Sequence, residues 1–505
     1  MADNILSAPE VPGQLLAPAP PAQMCADPPL STLRSMSSDL ERTTEFGSPA
    51  YVSETRSRSA NQTKTTVDDE FTEEDWALVE KGIETVLDEP ESFVCVDRMV
   101  GRHPEEALSC RLIVPRHYGR IALAWAKLLD PAPDGAPDLL TIQLPDTAEL
   151  AIRVVPEAGL TVVHGSDYTG EAKKSFLRLF MHRAKRRGGL GLHAGSKRVT
   201  LEDDDGTRRT IGQVFLGLSG TGKTTLTGHG FWLEDPEQAM MLQDDVCALR
   251  PDGVVAGSEG GGLYIKTIGL SPAEQPELYN AATHESAVLE NVDVEEDGIV
   301  DFDSDRYTRN GRAVVDRDQL PCAASDIDLE EVDQLFFITR NPLMPPIAKL
   351  SDRQAAAAFM LGESVQTSAG DPDAAGESIR VVGTNPFIMG SRGEEGNRFH
   401  DLIAEVGATA FLLNTGSIGE EGPSIEVEDT ISLIVATARD RIEWTDAEFM
   451  DLEIPETVPG MDIGRYDVPE HVEDFERRYE ALREERRAYL ESFPDLRQSI
   501  RESVY

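Results

Sequence analysis

The sequence predicts a mixed α/β protein of two domains, and three observations predict it. The chain runs to 505 residues, more than a single hydrophobic core usually serves. Short apolar or alternating runs at residues 93–96, 110–114 and 151–155 read as strands. Trp76, Leu78, Val79, Ile83 and Val86 instead recur at helical spacing behind the cap-like start Thr72-Glu73-Glu74-Asp75. The third observation is the apolar run Val214-Phe215-Leu216, which passes into Gly217-Leu218-Ser219-Gly220-Thr221-Gly222-Lys223-Thr224-Thr225.

That stretch is strand, glycine-rich loop and helix start, the setting in which G-x-x-x-x-G-K-[ST] has a mechanism. Glycines let successive backbone N–H groups turn toward one point, where a phosphate oxygen can sit. Lys223 would reach the outer phosphates, and Thr224 would offer its hydroxyl to a magnesium ion. Downstream, Ala239-Met240-Met241-Leu242-Gln243 ends in Asp244-Asp245. A carboxylate at a strand's end can reach the metal of a phosphate loop, and adjacent residues on a strand point to opposite faces, so the pair could serve two ions.

Composition narrows the function classes. There are 91 acidic and 47 basic residues, a net charge of −44, which repels nucleic acid and anionic membrane surfaces. Such a surface suits a high-salt interior, where screening relieves self-repulsion, and a halophilic protein is expected. Cys25, Cys95, Cys110, Cys247 and Cys322 lie far apart, neither a zinc site nor a disulfide framework. No run approaches the roughly 20 apolar residues of a membrane span, and the N-terminus has no signal-like apolar core. A cytoplasmic protein acting as a monomer, with no nucleic-acid or membrane partner, is the expectation.

Residues 1–68, rich in Pro, Ala, Ser and Thr without period, are expected to form a disordered tail. An α/β domain is expected over 69–187 and the phosphate-loop domain over 188–465. Within 466–505, Val472, Phe475, Tyr479 and Leu482 predict an amphipathic helix packed on the body. Later strands are expected at residues 334–339 and 410–414, and a loop or lid at 366–378. Arg102 in a glycine loop, Lys173-Lys174 ahead of an apolar helix, and His193 between glycines are each more often surface charge or structure than ligands.

Taken together, Tyr168-Thr169-Gly170-Glu171-Ala172-Lys173-Lys174, the phosphate loop, Asp244-Asp245 and Glu259-Gly260-Gly261-Gly262 resemble the ATP-type phosphoenolpyruvate carboxykinase family. Leu289-Glu290-Asn291-Val292, Pro345-Pro346, Asn414-Thr415-Gly416 and Asp429-Thr430 continue the resemblance. It implies a two-domain carboxykinase-like fold whose cleft takes oxaloacetate and ATP and yields phosphoenolpyruvate, ADP and carbon dioxide in gluconeogenesis. It further implies Lys174, His193 and Asp245 as ligands of Mn2+, with Thr224 and Asp244 on the Mg2+ side. Arg102, Tyr168, Lys173 and Arg312 fall at the substrate site, and Thr430 beside the nucleotide.

The chain departs from the family at four places. Val246 replaces a glutamate after the aspartates, and Ala313-Val314-Val315 follows Arg312 where a Tyr-Pro pair is usual. His103-Pro104-Glu105-Glu106 follows Arg102, and Ser424 stands where a nucleotide-clamping arginine precedes Ile425. Two other readings stay open: a kinase of the same fold for another small carboxylate or a protein serine, and a nucleotide sensor without turnover.

Overall fold

The computed structural model describes residues 11–55, 60–218, 220–273, 275–365 and 378–505. The chain divides into two compact units, one formed by residues up to Arg183 with Ser258–Pro321, the other by Ala184–Gly257 with Cys322–Tyr505. The boundary expected near residue 187 is therefore only one of three crossings. The segment 258–321 returns because its strands Gly262–Lys266 and Arg312–Asp316 pair with each other, and Val288–Glu290 then joins Arg312–Asp316 to Pro49–Tyr51.

In the first unit an eight-stranded mixed sheet runs Cys25–Ala26, Phe93–Val100, Leu108–Pro115, Leu139–Leu144, Leu160–His164, Ala151–Val155, Thr63–Thr65, with Asp130–Pro131 beside Phe93–Val100. The helix Glu73–Asp88 starts as expected, with Thr72 and Asp75 exchanging capping hydrogen bonds. It sets Val79, Ile83 and Val86 into a core with Ile113, Ile142 and Val162.

The disordered tail expected over residues 1–68 is corrected for its described part; residues 1–10 and 56–59 lie outside the described residues. Cys25–Ala26 and Thr63–Thr65 each add a short parallel edge to the sheet, and Leu15, Leu33 and Tyr51 are buried. The wholly buried Arg111 donates to the Leu15 and Ala17 carbonyls at 2.9 and 2.8 Å. Strands of two or three residues carry no readable period, so a Pro-rich segment held by single insertions looks structureless in sequence.

The second unit is built on an eight-stranded sheet ordered Gln238–Asp244, Ala194–Glu202, Arg208–Gly217, Gln334–Thr339, Thr409–Asn414, Ile347–Leu350, Glu453–Thr457, Glu443–Asp446. Arg208–Gly217, Gln334–Thr339 and Thr409–Asn414 are mutually parallel. Phe215, Phe336 and Phe411 face one another at the same level, with ring centroids 5.1 and 5.3 Å apart. A one-residue slip would turn all three rings to the other face, so the stack fixes the register and aligns Gly217 with Ile338 and Leu413 at the carboxyl ends.

The amphipathic helix is Phe475–Glu491, burying Phe475, Tyr479, Leu482 and Leu490 in this unit's core. Residues 366–377 of the expected lid lie outside the described residues. Among the described residues, no helix is long and apolar enough to cross a membrane.

Candidate active site

The phosphate loop follows the strand Arg208–Gly217 and enters the short helix Lys223–Gly228. Gly220 and Gly222 hold φ of +85° and +101°, a region that side-chain-bearing residues rarely adopt. Ser219 lies outside the described residues. Thr221 is buried, its hydroxyl donating to the Leu218 carbonyl at 2.8 Å. Its own carbonyl accepts from the Thr415 hydroxyl at 2.8 Å, which ties the loop to the third parallel strand. Lys223, Thr224 and Thr225 are part-exposed at the helix start.

Six residues are too few for a helix to hold itself, and neighbours hold this one. A side chain at Gly195 would collide with Thr227, so the strand Ala194–Glu202 passes directly against the helix. From that strand the fully buried Lys197 donates to the Leu226 carbonyl at 2.7 Å and to that of His229. Its ammonium lies 3.7 Å from the Phe231 ring centroid. These contacts satisfy carbonyls at the helix end, and burial holds the amine well below its usual range.

His193 sits between the strands Leu190–Leu192 and Ala194–Glu202, and Asp244 closes the strand Gln238–Asp244 opposite Gly195. The His193 Nε2 lies 3.2 Å from an Asp245 carboxylate oxygen. On the other side of the ring, Nδ1 is 2.8 Å from the Thr384 carbonyl, which can only accept. In the neutral ring Nδ1 therefore carries the proton, and Nε2 turns a lone pair toward a carboxylate. Two acceptors facing each other suit a cation, and a carbonyl that fixes the tautomer is the usual support of a metal-bound imidazole. The donor set thus fits a divalent ion. Among the described residues, no three of His, Cys, Asp and Glu converge, so histidine and aspartate form a pair.

Thr430 lies within the helix Val427–Ala438, 2 % exposed, its hydroxyl donating to the Glu426 carbonyl at 3.1 Å. It offers a ligand almost no surface. Val246 is wholly buried, so the missing glutamate is a core exchange.

In the first unit two of the expected cations, Lys173 and Arg312, meet at one ring, that of Tyr264. Lys173, 4 % exposed on the helix Thr169–Arg186, donates to Glu259 at 2.9 Å and lies 5.3 Å from the Tyr264 ring centroid. Arg312 lies over the same ring at 5.3 Å and donates to the Asn310 side-chain oxygen at 2.8 Å. The Asn310 amide donates to the Tyr168 hydroxyl at 3.2 Å. Tyr264 donates its hydroxyl to Glu290 at 2.6 Å, and burial pushes this phenol well above its usual range, so it stays a donor. Glu290 also accepts from Arg120 and from the Thr169 N–H. Lys174, next on the helix, is half-buried.

Arg102 grips Asp130 with Nε and Nη2 at 2.7 and 3.0 Å, and donates to the Gly260 carbonyl at 3.0 Å. A Cβ at residue 260 would run into the Asp130 carboxylate, which explains one glycine of the run. Ala313, Val314 and Val315 are buried in the strand Arg312–Asp316, so the departure after Arg312 falls in the core of the sheet. Glu259, Tyr264, Glu290 and Asn310 were the residues missed. Two carboxylates in an acid-rich chain and a tyrosine in a strand carry no local signal.

A phosphate loop beside a histidine–carboxylate pair, and a nest of partnered cations around a half-buried tyrosine, define a nucleotide-using enzyme of anionic substrates. The sequence profile described as phosphoenolpyruvate carboxykinase matches residues 47–463, and the chain belongs to that family. It is 36 % identical to a phosphoenolpyruvate carboxykinase (ATP) of Aeropyrum pernix over 93 % of this chain and 94 % of the relative. The same-named protein of Mesorhizobium japonicum is 31 % identical over 62 % of this chain and 57 % of its own length. That of Rhizobium meliloti is 28 % identical over 74 % and 71 %.

Proposed function

We propose that this chain converts oxaloacetate and ATP to phosphoenolpyruvate, ADP and carbon dioxide, running in the gluconeogenic direction. The observation that carries this reading is the His193–Asp245 pair beside the phosphate loop, a pair for which a plain phosphate-loop kinase or a sensor has no evident use.

The bond to the departing carboxylate breaks, carbon dioxide leaves, and the electron pair moves to the neighbouring carbonyl, making an enolate. The enolate oxygen then attacks the γ-phosphorus and ADP departs. Arg102 and Arg312 would hold the substrate's carboxylates, Arg102 exchanging Asp130 for one of them. Tyr168 and Lys173 flank that site, with Tyr264 fixing the direction of both cations. Lys223 and the loop amides would neutralise charge on the transferred group. We assign His193 and Asp245 to Mn2+, and Thr224 and Asp244 to Mg2+; held there, a divalent cation supplies positive charge to the oxygens on which negative charge develops.

The test is a titration of activity with metal. Purified protein given oxaloacetate, ATP, Mg2+ and increasing Mn2+ should form phosphoenolpyruvate with saturable manganese activation. His193→Ala should lose that activation while still binding ATP. Phosphoenolpyruvate formation by His193→Ala at the wild-type rate and manganese dependence would contradict the assignment.

A further inference from the structure

The strand next to the phosphate loop ends in a cation that nothing so far accounts for. Gly217 is level with Ile338 in the parallel pair Arg208–Gly217 and Gln334–Thr339, so Arg340, two residues on, leaves the sheet at the height where the loop begins. The neighbouring turn is close by: the Thr415 N–H donates to the Thr339 carbonyl at 2.9 Å, and the Thr415 hydroxyl donates to the loop at Thr221. A Cβ added to Gly416 would lie 3.3 Å from Arg340 Cα.

Arg340 is half-buried, and its Nε is buried with no hydrogen-bond partner among the described residues. No described carboxylate pairs with it, in a chain that carries nearly two acidic residues for each Lys or Arg. Burial pushes the guanidinium below its usual range, with no opposing carboxylate. A partly desolvated guanidinium without an anion carries a cost, and its planar fork matches phosphate oxygens. The same turn carries Ser424, bridged to Ser417 across a tight pairing. Arg465 is close to that turn but is engaged by Asp429 at 2.7 Å.

We propose that Arg340 binds a phosphate of the nucleotide. This rests on the nucleotide assignment of the loop. It makes Arg340 a specificity residue for the phosphate chain and leaves the base unread.

The experiment compares wild type with Arg340→Gln and Arg340→Lys, measuring calorimetric Kd for Mg-ATP and for adenosine, together with KM for oxaloacetate. Arg340→Gln should weaken Mg-ATP about tenfold or more, leave adenosine within about twofold, and leave the oxaloacetate KM unchanged. Arg340→Lys, which keeps charge but not the fork, should fall between. Should Arg340→Gln fail to fold, Arg340→Lys carries the comparison, with a loss of threefold or more for Mg-ATP expected. Unchanged Mg-ATP affinity, or equal weakening of ATP and adenosine, overturns the proposal. Wild type that binds ATP yet makes no phosphoenolpyruvate would overturn the reaction instead, and the Arg340 contact would still be read from the Kd series.

Discussion

The two candidate-site regions, one in each unit, treat charge differently. In the first, every cation of the candidate site with a resolved partner already holds one: Lys173 has Glu259, Arg102 has Asp130, and Arg312 has Asn310 and the Tyr264 face. In the second, the neutral His193 ring would turn a lone pair toward Asp245. Arg340, in that same unit, has no described carboxylate. One region is preorganised by ion pairs among its own residues, and the other sets a histidine, a carboxylate and an arginine beside the phosphate loop. The difference teaches which residues bear on stability and which on turnover.

The largest expected effect breaks the first pattern. Glu259→Ala takes the carboxylate from the buried Lys173 ammonium, and removing one partner of a buried pair costs about 3–5 kcal/mol. Thermal unfolding should register a large fall in Tm, whereas a Tm within a degree of wild type would show the pair to be dispensable. Next comes a change in the second region that should spare stability. Lys223→Ala is expected to lower kcat about 100- to 1,000-fold, the scale of losing one charge-stabilising donor, with Tm nearly unchanged. A comparable fall in Tm would erase the contrast.

Acid separates the units more finely. Burial holds the His164 imidazole of the first unit below its ordinary value, so its contribution is present above the unfolded value near 6.5 and is lost as pH falls from there through the lower folded-state value. In the second unit burial would raise the Glu363 carboxyl, but Arg486 and Arg380 outweigh it and hold it at about 2. That contribution is present above the ordinary glutamate value and is lost as pH falls toward 2. Denaturant titrations should find the first unit weakening at mildly acidic pH, with His164→Asn removing that dependence, before Glu363→Gln matters at all. Identical acid profiles for wild type and His164→Asn would break this ordering. The smallest effect is Tyr264→Phe, which removes one hydroxyl from Glu290 and should cost about 1–2 kcal/mol by denaturant unfolding. It should also raise the KM for oxaloacetate more than that for ATP.

Legibility in the sequence followed the same division. The phosphate loop, Asp244 at its strand end and the helix Phe475–Glu491 were readable because each rests on local pattern: fixed glycine spacing, an apolar run, a three-and-four period. The ordered N-terminal segment was not, because Leu15 and Leu33 are buried one at a time, and Cys25–Ala26 is too short to alternate. The interleaving of the units was hidden because it depends on Val288–Glu290 pairing with Pro49–Tyr51, more than 200 positions away. At the site, the substrate-side cations were placed by family resemblance, while their partners Glu259, Glu290 and Asn310 needed the fold. Arg340 looked like any other arginine until its surroundings were seen.

The surface charge bears on conditions. We propose that the net charge of −44 makes the native state depend on salt, since screening relieves self-repulsion. Activity should accordingly rise between dilute buffer and molar KCl.

The most direct test of the central claim is the stoichiometry of one reaction in molar KCl. Purified protein with oxaloacetate, ATP, Mg2+ and Mn2+ should release phosphoenolpyruvate, ADP and carbon dioxide in equal amounts, and Lys223→Ala should form phosphoenolpyruvate about 100- to 1,000-fold more slowly. ATP consumption by the wild type without phosphoenolpyruvate, or with a different phosphorylated acid in its place, would contradict it.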